Sequence, residues 1–169
     1  NYNGSCIYAD AGHYSTNLLY HSQVSCDNGT YQPNSGQSSC IESSPGSFAT
    51  GIGAISQQSC PSGTYQPDSL QVSCIDVSPG YESNLDSTAQ MMCDEGHHQP
   101  NAGVENCIAA SPGYYVPNMG AIIQRACSAG TYQPNYGALS CFNADMGYFV
   151  VNNNSASQEA CNPGTYQPD

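Results

Sequence analysis

Residues 127–141 read Cys-Ser-Ala-Gly-Thr-Tyr-Gln-Pro-Asn-Tyr-Gly-Ala-Leu-Ser-Cys, and this stretch decides the fold. Its pentapeptide Gly-Thr-Tyr-Gln-Pro recurs at Gly29–Pro33, Gly63–Pro67 and Gly164–Pro168. In the complete copies six further residues lead from the proline to a cysteine. The ten cysteines fall at 6, 26, 40, 60, 74, 93, 107, 127, 141 and 161, so the gaps alternate between 20 and 14 with a single 19. A period of 34 residues with one deletion is a tandem array. Such arrays fold as stacked small units, not around one core.

Each repeat has two related halves. A shift of 17 carries Gly130 onto Gly147, Tyr132 onto Phe149, Cys127 onto Ala144 and Cys141 onto Gln158. The module is therefore about 17 residues long and comes in two alternating flavours. One has Cys at positions 1 and 15. The other has a small or apolar residue at position 1 (Ala9, Ser43, Val77, Ala110, Ala144) and Gln at position 15 (Gln23, Gln57, Gln90, Gln124, Gln158). Both cysteines are kept or lost together, which favours bonds within a module: Cys26–Cys40, Cys60–Cys74, Cys93–Cys107 and Cys127–Cys141. The rival pairing across the longer gap, Cys40–Cys60 and its equivalents, leaves the paired loss unexplained. Each within-module bond closes a loop of about 15 residues, for which the chain-entropy model gives ~3 kcal/mol.

Composition points the same way. Only 38% of the chain is hydrophobic and Trp is absent, too little for an ordinary core, while ten cysteines do not fit a disordered chain. A disulfide-stapled, loop-rich chain belongs in an oxidising compartment, so an extracellular or cell-surface location is expected. Net charge is −12 and Arg125 is the only Lys or Arg, which excludes a nucleic-acid or anionic-membrane surface built on basic side chains. No apolar run approaches the ~20 residues that insertion across a membrane requires.

The fold class expected is small, disulfide-rich and all-β. It is a linear array of short β-hairpin modules, an extended rod or solenoid without a large core. Gly at position 4 suits a backbone conformation that other residues resist. The aromatic two places later is placed to cover the disulfide, and Pro at position 8 ends the first strand. Two strands of about three to five residues per module are expected, with modules stacked because an isolated hairpin is marginal. Tyr14, Tyr31, Phe48, Tyr65, His98, Tyr115, Tyr132, Phe149 and Tyr166 then form an aromatic ladder. Glu82 interrupts it just ahead of the 19-residue gap, so a local irregularity is expected there. In domain terms, residues 1–25 are the second part of a repeat, 26–59, 60–92 (with the deletion), 93–126 and 127–160 are repeats, and 161–169 begin another.

The Cys-x-x-Gly-Thr-Tyr…Gly…Ser-Cys spacing resembles the cysteine-rich repeats of the ephrin-receptor-like and tumour-necrosis-factor-receptor-like type, over the whole chain. The resemblance implies a secreted or surface protein in which such modules serve as spacers, stalks or ligand platforms. This sequence departs from those families where a second cysteine would follow. It has Cys40-Ile-Glu-Ser-Ser-Pro-Gly and Cys107-Ile-Ala-Ala-Ser-Pro-Gly instead.

Candidates for chemistry are few. His97 and His98, with Asp94 and Glu95 beside them, have the ligand types of a zinc site. Yet Gly-His-His-Gln-Pro fills the slot of Gly-Thr-Tyr-Gln-Pro, which makes His98 a substitute for the ladder tyrosine. The acids Asp76, Glu82, Asp86, Asp94 and Glu95 lack calcium-loop spacing. No nucleophile–base or phosphate-binding motif occurs, so neither catalysis nor a cofactor is expected. Asn3, Asn28 and Asn153 head Asn-x-Ser/Thr sequons and are candidate sites for covalent glycans.

Cys161 opens a module and Cys6 closes one. Joining residues 161–169 to residues 1–6 restores the full pattern with its six-residue gap, and the length of 169 equals five whole repeats less the one-residue deletion. The expectation is one period of a head-to-tail array of copies, with Cys161 bonded to Cys6 of the next copy. Copies would follow through a peptide bond or by end-to-end docking. The function expected is a structural segment of an extracellular filament, stalk or surface appendage. The alternative is an adhesin or receptor-like ectodomain binding protein or glycan ligands, with Glu82–His98 as its candidate surface.

Overall fold

A computed structural model describes residues 6–16 and 22–166. Among these residues the regular structure is all β: nine two-stranded antiparallel hairpins in chain order, His13–Tyr14 with Val24–Ser25 first and Tyr148–Phe149 with Glu159–Ala160 last. Among the described residues no helix is long and apolar enough to cross a membrane. The result is a small disulfide-rich fold of hairpin modules in an array.

One register repeats. Position 5 lies opposite position 17 and position 6 opposite position 16, as in Thr30↔Glu42 and Tyr31↔Ile41, and again in Ser47↔Ser59 and Phe48↔Gln58. The strands are two residues long where three to five were expected, except Tyr81–Ser83 and Gln90–Met92. They also pair outside the cysteine loop, because the return strand starts only after position 15. The reason is local. The N–H of position 5 bonds the carbonyl of position 2, as Thr30 does with Asp27 and Thr131 with Ser128, both at 3.0 Å. The third residue of that turn is the position 4 glycine, with φ of +84° at both Gly29 and Gly130. The threonine hydroxyl ties down the same carbonyl, Thr64 Oγ1 donating to Pro61 at 2.7 Å. That bond accounts for the threonine of the pentapeptide.

The two flavours fill their interiors differently. Four disulfides join positions 1 and 15: Cys26–Cys40, Cys60–Cys74, Cys93–Cys107 and Cys127–Cys141. In those modules position 7 is a buried glutamine: Gln32, Gln66, Gln99 and Gln133 are at most 3% exposed. Both ends of the carboxamide are used. Gln133 Nε2 donates to the Ser140 carbonyl at 2.7 Å, and its Oε1 accepts from the Asn135 N–H at 3.0 Å. The same pair of bonds recurs at Gln32, Gln66 and Gln99. A fully satisfied buried carboxamide is specific where an apolar residue would only be tolerated.

In the other flavour position 7 is no longer Gln: it is apolar and buried at Ala49, Val116 and Val150, and serine at Ser15 and Ser83. The glutamine moves to position 15 and takes over the work of the disulfide. Its Oε1 accepts the N–H of position 2: Gln23 from Asp10 at 2.6 Å, Gln57 from Ser44 at 2.8 Å, Gln124 from Ser111 and Gln158 from Asp145 at 2.7 Å. A carboxamide staple of about 1 kcal/mol thus alternates with a covalent one of ~3 kcal/mol.

The aromatic ladder does not form as rings stacked from module to module. Among the described residues the ring contact is between Tyr132 and Phe142, which face each other across one hairpin with centroids 6.0 Å apart. Likewise Tyr31 faces Ile41 and Tyr65 faces Ile75. In these hairpins an aromatic stands opposite an apolar residue, the usual cross-strand pairing, whereas Phe48, Tyr115 and Phe149 stand opposite Gln58, Arg125 and Glu159. The irregularity expected near Glu82 is present. Asn84 closes a tight loop, its Oδ1 accepting the N–H groups of Thr88 and Ala89 at 2.8 and 3.0 Å.

The chain divides into two compact units, Asn1–Asp76 with Ser83–Gln90, and Val77–Glu82 with Met91–Asp169. Both are built on the same module.

Candidate assembly interface

Stacking is carried by backbone. In the first unit, the Gly29 N–H donates to the Ala49 carbonyl at 2.9 Å, the Gln32 N–H to Ala54 at 3.0 Å, and the Gly53 N–H back to Cys26 at 2.8 Å. The second unit repeats these three bonds one module apart: Gly113 to Gln133 at 2.7 Å, Val116 to Ala138 at 2.9 Å, Gly137 to Ala110 at 2.8 Å. A fourth runs from the Ser43 N–H to Gly29 and from the Cys127 N–H to Gly113, both at 2.9 Å. Four backbone bonds per junction, indifferent to side chains, suit a stack that must tolerate sequence variation from module to module.

A second layer of contact reaches two modules ahead, again within each unit. A Cβ placed on Gly29 would lie 2.5 Å from the carbonyl oxygen of Leu70. One on Gly96 would lie 2.9 Å from the carbonyl carbon of Gly137 and nearer still to its oxygen. Gly12, Gly46, Gly80 and Gly113 meet Gly53, Asp86, Gly120 and Asn154 in the same way. Position 4 must therefore be glycine twice over, for its left-handed φ and for the backbone carbonyl pressed against its Cα.

Except at Asp86, which precedes the left-handed Ser87 in the module with the deletion, the carbonyl comes from position 11, which is itself left-handed: φ is +74° at Gly53, +66° at Gly137, +63° at Leu70 and +54° at Asn154. Sequence reasoning missed this socket. The Asn-x-Gly turns at Asn34–Gly36 and Asn135–Gly137 mark it, but Leu70 and Asn154 disguise it.

At the far end of the second unit the sockets stand open. Gly130, Gly147 and Gly164 keep φ of +84°, +82° and +86°, yet nothing lies within 4 Å of a Cβ built on any of them. Beside them Cys161 has a free, partly exposed thiol, the Thr165 N–H already bonds the Asn162 carbonyl at 3.0 Å, and Tyr166 is 83% exposed. In the first unit Cys6 is free and exposed, followed by Ile7 and Tyr8 at 90% and 83% exposure. Thr165–Tyr166 hold positions 5 and 6 of a module, and Ile7–Tyr8 hold positions 16 and 17. These are the two halves that pair in the other hairpins.

The remaining candidates are placed as follows. His97 and His98 are neighbours on one short strand, opposite Ala109 and Ile108, so their side chains leave opposite faces. His97 Nδ1 lies 3.3 Å from the Glu95 carbonyl, and His98 Nδ1 is buried without a partner. Among the described residues no group of three or more His, Cys, Asp or Glu could hold a metal ion. Glu82 is engaged structurally, its Oε2 accepting the Cys107 N–H at 3.0 Å. Asn28 and Asn153 are exposed. Their Oδ1 atoms accept from the N–H groups of Gly51 and Ala129 at 2.9 Å, which presents Nδ2, the atom a glycan would occupy. Asn3 lies outside the described residues.

Residues 12–60 match the family model described as tyrosine-protein kinase ephrin type A/B receptor-like. With the disulfides repeated along the chain, the match fits a tandem cysteine-rich repeat of ephrin-receptor-like type. It points to an extracellular, receptor-like or surface module. No curated protein matches the chain significantly.

Proposed function

We propose that this chain is a structural segment of an extracellular filament, stalk or surface appendage, its copies joined head to tail by a disulfide from Cys161 to Cys6 of the next copy. The observation that carries the reading is the pair of complementary half-hairpins, each with a free thiol at its edge and exposed residues where its equivalents are paired. Joined, they place Tyr166 opposite Ile7 and Thr165 opposite Tyr8 in the register of every regular module. Asn28 and Asn153 are exposed where glycans would coat such an assembly.

A second reading, an adhesin or receptor-like ectodomain binding protein or glycan ligands, draws support from the family match. Exposed Met119, Ile122 and Ile123 beside Arg125, the only Lys or Arg of the chain, also favour it.

Oxidative refolding of the purified chain, followed by light scattering and electron microscopy, separates the two. Head-to-tail joining gives linear species whose mass is a multiple of the 17.8 kDa chain and which fall apart on reduction. A discrete monomer with two free thiols refutes it.

A further inference from the structure

We infer that the contact between copies is two modules deep, with Gly164 as the socket: its Cα receives the backbone carbonyl of Gly36 of the following copy, while its N–H and carbonyl bond that copy's Ser15 and Ala9. This rests on the head-to-tail reading and adds to it a specific docking site beyond the disulfide and the completed hairpin.

The inference follows from continuing the observed ladder. Position 4 donates to position 7 of the next module, as Gly12 does to Gln32 at 2.7 Å, so Gly164 N–H meets the carbonyl of Ser15. Position 1 donates back to position 4 of the module before, as Cys26 does to Gly12 at 2.8 Å, so Ala9 N–H meets the carbonyl of Gly164. Position 4 also packs on position 11 two modules ahead, as Gly96 does on Gly137. For Gly164 that residue is Gly36. The donor is already shaped: Gly36 has φ of +75° in an Asn-Ser-Gly turn, matching Gly137 at +66° in Asn-Tyr-Gly. The socket is shaped as well, since Gly164 at φ +86° has nothing within 4 Å of its Cβ site while holding the conformation of the docked glycines. Both surfaces are made of backbone in rigid turns, so docking orders few side chains and its entropy cost is small. The occupant is thus a second copy of this chain, recognised by backbone geometry, and a thiol partner alone would not satisfy the site.

The test compares wild type with Gly164→Asn and Gly51→Asn. Asparagine tolerates a left-handed φ, so the change adds a Cβ with little backbone strain. Gly51 has φ of +90° and nothing within 4 Å, and serves as the control. Each chain is oxidised under the same conditions, and end-to-end association is measured by sedimentation velocity. Thermal unfolding of the unassembled chains checks that they fold alike. The expected result is a loss of at least about tenfold in association for Gly164→Asn, roughly the loss of one to two backbone hydrogen bonds, with Gly51→Asn unchanged. Wild-type association by Gly164→Asn overturns the socket and leaves head-to-tail joining standing. A wild type that does not associate overturns the joining itself, and the socket with it.

Discussion

Gly96→Ala and Gly130→Ala separate the two reasons for glycine at position 4. Their φ values are +82° and +84°, so alanine meets the same left-handed penalty at both, about 1–2 kcal/mol. The surroundings differ. At Gly130 nothing lies within 4 Å, and the cost stops there. At Gly96 the new methyl would overlap the Gly137 carbonyl, whose carbon is only 2.9 Å from the Cβ site. That atom belongs to backbone and cannot swing aside. The modules must part, which stretches the Gly96–Val116 and Gly137–Ala110 bonds, both 2.8 Å. At about 1 kcal/mol each the total for Gly96→Ala reaches roughly 3–4 kcal/mol, twice that of its partner variant. Urea unfolding of the oxidised chains gives the totals. Hydrogen exchange at the Gly96 and Gly137 amides gives the local effect, which is needed because repeat arrays do not always unfold in one step. Equal destabilisation by the two substitutions, with no extra exchange at Gly137, would refute the two-module contact.

Replacing Gln133 by Leu keeps the volume but strands the Asn135 N–H and Ser140 carbonyl, and is expected to cost about 2–4 kcal/mol by thermal unfolding. The double change Ala110→Cys and Gln124→Cys should turn a carboxamide-stapled module into a disulfide-stapled one. Thiol titration is expected to find no added free thiols, and stability is expected to rise by about 2 kcal/mol once the lost Gln124–Ser111 bond is set against the ~3 kcal/mol of loop closure. Leu70→Gly relieves a left-handed leucine at φ +63° and should stabilise the first unit by up to about 1 kcal/mol, glycine's own flexibility offsetting part of the gain.

How much of this was legible in the sequence depends on which atoms carry each feature. Side chains with a single workable solution leave a strict trace. Glycine at position 4 is such a case, as is the exchange of a cysteine pair for a small residue plus Gln, and these fix the module and its two flavours. The buried Gln133 and its equivalents were visible as part of Tyr-Gln-Pro, but nothing in the letters says that a polar residue points inward. The stacking bonds run from main chain to main chain, so they leave no side-chain signature at all. Tyrosine recurring every module looks like a ladder, yet Tyr31 and Tyr65 stand opposite Ile41 and Ile75 across their own hairpins. Position 11 was hidden for a different reason: a left-handed turn held by its surroundings accepts Leu70 and Asn154 as well as glycine.

Head-to-tail joining rests on one bond between copies, and a labelled digest detects that bond. Heavy-isotope and unlabelled chains are mixed reduced, oxidised together and cut with pepsin without reduction, and the linked peptides are weighed. The expected product is a peptide containing Cys161 joined to one containing Cys6, with mixed-label pairs because the bond runs between copies. Cys161–Cys161 or Cys6–Cys6 links, Cys161–Cys6 links without mixed labels, or both thiols free would contradict it.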